Sequence, residues 1–229
     1  MSLFFKSNNL SLGYGNQLVI NNLDLSLKIS NNYEIIGKNG SGKTQFLFQM
    51  CVNAVKSGGT VLYIDTNSGF RPERILELAK KFNSDINFLN KIYVHRVLNT
   101  SEQIESSKKI LDNDFSLVVI DNVTDLFSFE FAKEKNLYEK NSLFLKYFTE
   151  LAEIIINKKI PLVLTNMIRE IEGKEMENMK TVIDQFTHIK IHLTKFAKFH
   201  KGEINYPFTN DEFLFEITKN GLENYAQDI

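Results

Sequence analysis

One octapeptide carries most of the information in this sequence, and it reads Gly37-Lys38-Asn39-Gly40-Ser41-Gly42-Lys43-Thr44. It matches the pattern G-x-x-x-x-G-K-S/T, in which a glycine-rich loop curls around a phosphate with its backbone N–H groups pointing inward. A predicted strand, residues 33–36, precedes the loop, and a predicted helix follows it and turns its positive end to the same phosphate. We expect Lys43 to reach the β- and γ-phosphates and the Thr44 hydroxyl to bind Mg²⁺.

Short β-branched runs alternate with amphipathic stretches along the chain. Strands are predicted at residues 33–36, 60–64, 91–95, 116–120, 160–165, 187–193 and 212–218. Helices are predicted after the loop, from Pro72 to about residue 82, from Thr100 to about residue 113 and over residues 141–158. This alternation predicts an α/β fold with a mainly parallel twisted sheet and helices on both faces. The last strands follow one another without long helices, which predicts antiparallel strands at the C-terminal end.

Three local signals refine this prediction. Apolar residues at helical spacing predict one buried face for the helix after the loop: Leu47, Met50, Cys51 and Ala54. Thr100 with Gln103 predicts a capping box at a helix start. Asn220 with Gly221 predicts a hairpin turn after the last strand.

Polar residues recur where the predicted parallel strands end, at 65–67, at Asp121 and at Asn166 with Met167. In open α/β sheets, ligands bind at the carboxyl ends of the strands, so these residues are expected to share one site with the glycine-rich loop. Asp121 ends a very apolar strand, which is the usual position of the carboxylate that holds Mg²⁺ through water. We therefore predict that Thr44 and Asp121 hold the metal.

Composition excludes several classes of protein. The 229 residues are 43% hydrophobic and 24% charged, as expected for a globular chain. The one cysteine, Cys51, excludes an internal disulfide and a cysteine-built zinc site and fits a reducing compartment. The 27 basic and 28 acidic residues exclude a wholly basic coat for nucleic acid. No apolar run approaches the ~18 residues of a spanning helix, and the first residues do not show a charged region followed by an apolar one, so we expect no secretory signal and a cytoplasmic protein with no membrane partner.

The stretch from residue 61 to residue 74 reads Val-Leu-Tyr-Ile-Asp-Thr-Asn-Ser-Gly-Phe-Arg-Pro-Glu-Arg. It closely resembles the RecA/RadA recombinase superfamily, whose form is Tyr-Ile-Asp-Thr-Glu-Gly-x-Phe-x-Pro-Glu-Arg. Further stretches of that form are Gly-Lys-Thr-Gln at 42–45, Leu-Val-Val-Ile-Asp at 117–121, Leu-Thr-Asn at 164–166 and Phe-Glu-Ile-Thr-Lys-Asn-Gly at 215–221. The resemblance covers about residues 32–222 and is strongest to the core-only RadA paralogues, such as the archaeal RadB group.

The resemblance implies a P-loop NTPase of the RecA type, with ATP and Mg²⁺ as cofactors. It implies one ATPase core over residues 1–229, with 1–31 as an N-terminal lead-in, and we expect no separate N-terminal DNA-binding domain of the kind that full recombinases carry. The nucleotide-binding residues implied are the eight of the loop together with Gln45, while Arg74 matches the arginine that packs on adenine in the superfamily. The alternative for Arg74 is an ordinary charge on a helix surface.

Two positions depart from the superfamily pattern. Asn67 replaces the glutamate that activates the attacking water, and an amide cannot accept the water's proton, so general-base help worth typically 10²–10⁴-fold is lost. Met167 replaces the glutamine that senses the γ-phosphate, and a thioether is at most a weak acceptor. We therefore predict that ATP is held but that its hydrolysis is weak or absent and poorly coupled to DNA.

Contact with DNA is predicted to be weak. Residues 167–179 correspond to the superfamily's DNA-binding loop, but Arg169 and Lys174 face four glutamates there, a net charge of −2 that repels a phosphate backbone. Residues 190–201 contain four lysines and no acid, with Phe196 and Phe199 between them to stack bases of DNA, single-stranded DNA included. The candidate DNA contacts are Lys190, Lys195, Lys198 and Lys201. The alternative is a solvated edge strand whose lysines discourage aggregation.

The leading interpretation is an accessory factor of homologous recombination and DNA repair, associated with the nucleoid, whose partner is a RadA-type recombinase or a second copy of itself. Two alternatives stay open: a non-catalytic adaptor that nucleotide only stabilises, and a regulatory RecA-like ATPase of the clock-protein type. A transporter-type ATPase is disfavoured, because that class needs a glutamate where this chain has Asn122 and a Leu-Ser-Gly-Gly-Gln-like signature that the sequence lacks.

Overall fold

A computed structural model of the protein describes residues 30–80, 86–132, 137–205 and 210–225. The strands in these ranges are β1 (Asn32–Gly37), β2 (Val61–Asp65), β3 (Ile92–Arg96), β4 (Leu117–Asp121), β5 (Leu162–Ile171), β6 (Lys174–Glu177), β7 (Ile189–Lys195), β8 (His200–Asn205), β9 (Asn210–Thr218) and β10 (Gly221–Asn224). The helices are α1 (Lys43–Lys56), α2 (Pro72–Lys80), α3 (Thr100–Ser106), α4 (Lys109–Asp112), α5 (Asp125–Glu130), α6 (Leu137–Lys158) and α7 (Lys180–Ile183), with a short 3₁₀ helix at Ile86–Lys91.

The strands form one sheet in the order β10-β9-β8-β7-β1-β5-β4-β2-β3, and β6 pairs with the far end of β5. The six strands from β7 to β3 in this order are parallel, whereas β8, β9 and β10 pair antiparallel. Each predicted strand is present, and its bounds lie within two residues of the predicted ones, except that β5 ends at Ile171 and not at residue 165. The predicted fold class, a mainly parallel α/β sheet with antiparallel strands at its C-terminal end, is confirmed.

Helices cover both faces of the parallel strands, which explains why β1, β2 and β4 are buried along their whole length. One apolar cluster joins α1 and α2 to one face of the sheet, and a second joins α4, α5 and α6 to the other face. The predicted apolar face of α1 is buried at all four of its positions. No helix among the described residues is long and apolar enough to cross a membrane.

One predicted helix cap and one predicted hairpin turn are each wrong by one residue. Asn99 is the N-cap of α3 and accepts a hydrogen bond from the backbone N–H of Glu102 over 2.8 Å, so it replaces the predicted Thr100. Gln103 instead donates to the carbonyl of Val123, because both lie inside the fold. The helix predicted to run to about residue 113 is interrupted between α3 and α4. At the end of the chain, Thr218 pairs with Gly221, so residues 219–220 make the hairpin turn.

The segment predicted as a DNA-binding loop is an ordered hairpin. β5 continues past Met167, and β6 returns along it with Glu170 opposite Glu175. β8 and β10 were also not predicted. In β8, Gly202 lies so close to the ring of Phe213 on β9 that a Cβ would be 2.1 Å from ring atom Cζ. The predicted end of α2 and most of the N-terminal lead-in lie outside the described residues.

Candidate nucleotide-binding site

The glycine-rich loop joins β1 to α1 at the carboxyl edge of the parallel strands. Gly42, just before α1, has a φ of 99°, a left-handed conformation that favours glycine, and a Cβ there would lie 2.8 Å from Cδ1 of Ile217 on β9. The helix begins at this glycine, since Phe46 N donates to the Gly42 carbonyl over 2.9 Å. Both the backbone conformation and the contact with β9 therefore require a residue without a side chain at this position.

Lys43 is folded back over the loop that precedes it. Its ammonium donates to the carbonyl of Gly37 over 2.8 Å and to that of Lys38 over 3.0 Å. Burial lowers the pKa of Lys43, and the nearby carboxylates of Asp121 and Asp125 oppose that change. The ammonium is thus held beside the loop by neutral acceptors, and no carboxylate among the described residues pairs with it.

Asp121, at the end of β4, lies against the first turn of α1 as predicted. Its Oδ2 accepts from the hydroxyls of Thr44, over 2.8 Å, and Tyr63, over 2.9 Å. Its Oδ1 accepts from the hydroxyl of Thr165 over 2.5 Å. Burial and the charge of Asp121 both raise the pKa of Tyr63, which keeps that hydroxyl a proton donor. Hydroxyl and carboxylate oxygens are the hard ligands that Mg²⁺ prefers, so the pair of Thr44 and Asp121 fits this ion.

A cleft of about 460 Å³ opens beside this pair, and it brings five separate segments together. The loop and the start of α1 form one wall, the ends of β2 and β4 form another, and β5 and β9 contribute one residue each. The residues that line the cleft are Asn39, Gly40, Gly42, Lys43, Thr44, Gln45, Asn67, Asp121, Asn122, Asp125, Met167 and Ile217. The two degenerate positions thus lie in the same cleft as the loop, where the superfamily resemblance implies them.

Asn67 is held by its own turn. Its Oδ1 accepts from the backbone N–H of Gly69 over 2.8 Å. Asp65, which is buried, accepts from the N–H groups of Gly69 and Phe70 and so shapes this turn instead of facing the cleft. Of the Asn67 side chain, the amide N–H₂ group is therefore the part that remains to contact a ligand.

Arg74 does not line the cleft. Its Nε donates to Gln45 Oε1 over 2.8 Å, and its terminal nitrogens donate to Glu77 and to the carbonyls of Thr218 and Lys219 in the β9–β10 turn. The guanidinium therefore joins α2 to the last hairpin through bonds that the sequence did not indicate. A contact of Arg74 with adenine stays a prediction.

Two further loop residues point away from the cleft. The Lys38 ammonium pairs with Glu170 over 3.0 Å and with Glu175 over 3.1 Å, both on the β5–β6 hairpin. These glutamates lie opposite each other, and like charges so placed repel unless a cation is shared. Ser41 is buried, and its hydroxyl has no hydrogen-bond partner among the described residues. The hairpin is thus tied to the loop by charge.

The sequence did not indicate Asp125, Asn122 or Ile217 as cleft residues. Asp125 is the first residue of α5, a position where an aspartate is common in any helix. Burial raises the pKa of its carboxyl, with Arg169 opposing and Asp121 reinforcing the change. Ile217 arrives from a strand nearly two hundred residues along the chain from the loop, and no local pattern could place it there.

The predicted basic patch is smaller than its sequence suggests, and Lys190 does not belong to it. Its ammonium lies 3.0 Å from Glu34 and 2.5 Å from both Glu177 and Asp184. Alternation along β7 turns this side chain to the face where Glu34 is buried, so it is only 13% exposed. Burial would lower the pKa of Lys190, but the carboxylates, Glu34 foremost, raise it above its usual value.

Lys201 is also paired, over 2.7 Å with Glu212 and over 3.1 Å with Glu203. Lys195 and Lys198 form no ion pair within the described ranges. Beside them, Phe196 stacks on Phe199, which in turn stacks on Tyr225, with ring centroids 4.8 Å and 4.9 Å apart. The candidate DNA surface thus reduces to two lysines and a short aromatic stack.

A glycine-rich loop before α1, an aspartate at the end of β4 and this order of strands define a P-loop NTPase of the RecA type. The family model described as Rad51 matches residues 6–196, and the chain belongs to this family. The DNA repair and recombination protein RadA of Cenarchaeum symbiosum (strain A) is 36% identical over 146 residues. That alignment covers 59% of this chain and 37% of the RadA protein, so the chain spans well under half the length of this relative.

Proposed function

We propose that this chain binds ATP and Mg²⁺ and acts as an accessory factor in homologous recombination and DNA repair, as a core-only RadA paralogue of the RadB kind. The observation that carries the proposal is the cleft in which Lys43 faces the bonded pair of Thr44 and Asp121. The RadA name of the relative supports the assignment to recombination. The single-core organisation and a cytoplasmic, nucleoid-associated location belong to the same proposal.

The loop residues would hold the triphosphate by their backbone N–H groups, and Lys43 would exchange its carbonyl partners for phosphate oxygens. Thr44 and Asp121 would hold Mg²⁺, which neutralises charge on the β- and γ-phosphates when bound. Gln45 and Arg74, bonded to each other at the side of the cleft, are proposed to limit the base and ribose end.

Hydrolysis is proposed to be slow. The amide of Asn67 cannot act as a base, and Met167 offers the phosphate no hydrogen-bond donor. Both side chains line the cleft, so both substitutions would act directly on the reacting end of ATP.

DNA and protein partners are proposed on weaker support. The hairpin of β5 and β6 presents glutamates, two of which already engage Lys38, so DNA contact is assigned instead to Lys195, Lys198 and Phe196. The expected protein partner is a RadA-type recombinase or a second copy of this chain.

A second candidate is an adaptor whose fold nucleotide stabilises without turnover. The ion pairs from Lys38 to Glu170 and Glu175 favour it, because they make the loop a structural junction as well as a phosphate site. Lys43→Ala separates the two candidates. Loss of partner binding together with loss of ATP binding supports the first, whereas partner binding that persists without nucleotide supports the adaptor.

The direct test is a calorimetric titration with ATP and Mg²⁺, followed by phosphate release with and without single-stranded DNA. We expect saturable binding and turnover below about 1 s⁻¹, a low value for an enzyme. The absence of heat at millimolar ATP would overturn the proposal, and DNA-stimulated turnover above that rate would overturn the weak-hydrolysis part.

A further inference from the structure

A second carboxylate, that of Asp125, lines the cleft four residues after Asp121. The turn that leads to it is fixed by buried hydrogen bonds. Thr124 N donates to Asn122 Oδ1 over 2.9 Å, and the Thr124 hydroxyl donates to Asn166 Oδ1 over 2.8 Å. Because these partners are buried at the ends of β4 and β5, Asp125 projects from a rigid part of the sheet edge and not from a mobile loop.

One oxygen of this carboxylate, Oδ1, is shielded from solvent and has no hydrogen-bond partner among the described residues. The large majority of buried polar side-chain atoms in proteins have a partner, so an exception beside a ligand cleft needs an explanation. A carboxylate oxygen accepts hydrogen bonds, and the oxygens of a bound phosphate are acceptors too. The Asp125 carboxylate forms no hydrogen bond or ion pair among the described residues, and because it lines the cleft it can accept a hydrogen bond from a water molecule beside the phosphate.

The other carboxylates near the cleft have their oxygens occupied. Asp121 accepts from three hydroxyls, those of Thr44, Tyr63 and Thr165. Asp65 accepts from backbone N–H groups of its own turn. Among the described residues that line the cleft, Asp121 and Asp125 are the carboxylates, and Asp125 is the one that forms no hydrogen bond or ion pair within the described ranges.

The electrostatic surroundings suit a proton acceptor. Burial raises the pKa of the Asp125 carboxyl above its ordinary value, and this makes its carboxylate a stronger base than an exposed aspartate. The positive charges of Arg169 and Lys43 oppose that change in the pKa. Burial thus makes this carboxylate more basic, while the two cations favour its anionic form.

We propose that Asp125 is a catalytic residue whose carboxylate accepts a proton from the water that attacks the γ-phosphate of ATP. The inference rests on the proposed function, because it needs ATP in the cleft. The water oxygen forms a bond to the γ-phosphorus, and the bond from that phosphorus to the bridging oxygen breaks. ADP leaves with the electron pair on that oxygen, and the water's proton passes to Asp125 and from there to solvent.

In this role Asp125, on α5, supplies the carboxylate that position 67 lacks. Asn67 lines the same cleft, and its amide N–H₂ group can orient the water that Asp125 deprotonates. The two side chains would divide between them the orienting and proton-accepting parts that one glutamate performs. The site therefore retains slow turnover in place of none.

The test compares Asp125→Asn with the wild-type chain in ATP binding and in phosphate release. We expect kcat to fall by about 10- to 100-fold. ATP binding measured by calorimetry is expected to stay equal or become tighter, because a negative charge is removed beside a polyanion. Asp112→Asn, which removes an exposed aspartate outside the cleft, is the matched control and is expected to change neither quantity.

A rescue variant makes the test independent of one substitution. Asn67→Glu combined with Asp125→Asn returns a carboxylate to the cleft. We expect the kcat of this double variant to be at least about tenfold higher than that of Asp125→Asn alone. Asp125→Glu, with circular dichroism to verify folding, is expected to keep part of the turnover. A purely structural role for Asp125 would lower stability and ATP binding together and would not be rescued from position 67.

Three outcomes overturn the inference. Turnover of Asp125→Asn within about twofold of wild type shows that the carboxylate takes no part in the reaction. ATP binding by the wild type with no phosphate release shows that no base operates in the cleft. The absence of ATP binding by the wild type removes the proposed function itself, and calorimetry on the wild type alone distinguishes that failure from the other two.

Discussion

The cleft and strand β7 each hold a lysine away from solvent, and the surroundings of the two ammonium groups are opposite in kind. Lys43 bonds to two backbone carbonyls, and burial lowers its pKa. Lys190 contacts three carboxylates, and they raise its pKa. A charge bonded to neutral groups is available to a ligand, whereas a charge surrounded by carboxylates is committed to the fold. The same residue type is thus part of the fold at position 190, whereas at position 43 it is proposed to bind the ligand.

Lys190 should have the larger effect on stability. Lys190→Met leaves Glu34 buried without its cation, a change that typically costs about 3–5 kcal/mol in the free energy of unfolding. Lys195→Met, on the same strand but exposed, is the control and should change that free energy by less than about 0.5 kcal/mol. Urea unfolding of the two variants measures both losses in the free energy of unfolding. Equal losses would contradict a structural role that is specific to Lys190.

Lys43 should affect stability only when nucleotide is present. At an ATP concentration about 100 times Kd, binding stabilises the wild type by about 2.7 kcal/mol, and Lys43→Ala should lose that increment while unfolding normally without ATP. Lys56→Ala, at the other end of α1, should keep the increment. Thermal unfolding with and without ATP and Mg²⁺ measures it, and a full increment in Lys43→Ala would contradict a phosphate role.

The lysines in and beside the β7–β8 turn should differ in how much each contributes to DNA binding. Lys195 and Lys198 have no ion-pair partner in the described ranges, so replacing both with glutamine should lower the salt slope of single-stranded DNA binding by about 1.4. Lys201→Gln should lower it less, because Glu203 and Glu212 already compensate that charge. Binding titrations at several salt concentrations give the slopes. Equal effects per lysine would show that Lys201 contacts DNA as strongly as Lys195 and Lys198 do.

The weakest expected effect concerns the hairpin that contacts the loop. Glu170→Gln with Glu175→Gln frees the exposed Lys38 and removes two negative charges near the phosphate site. We expect ATP to bind about threefold more tightly at low salt and the gain to vanish at high salt. Calorimetry at both salt concentrations checks this, and Glu139→Gln on α6 serves as the control. A gain that does not depend on salt would argue against a charge effect.

The sequence predicted the parts of the molecule that depend on neighbouring residues. The loop, the α1 face and the position of Asp121 follow from local spacing, and the structure contains each of them. The sequence did not predict the contacts that depend on strands distant in the chain. Lys190 pairs with Glu34, which lies 156 residues earlier in the chain. The charge sum over residues 190–201 could not include this partner and therefore treated Lys190 as an unpaired charge. Ile217 reaches the cleft through the sheet order, and no periodicity in the chain encodes that order.

Ile217 also makes the end of the chain part of the nucleotide site. Its side chain closes one wall of the cleft and presses on Gly42, while the carbonyls beside it hold Arg74. A chain cut after β7 would keep every motif residue from 37 to 167 and nearly all of the segment that matches the family. It would nevertheless lack β9, the strand whose Ile217 packs against Gly42 of the loop. Motif content is thus a poor guide to where this α/β core can be shortened.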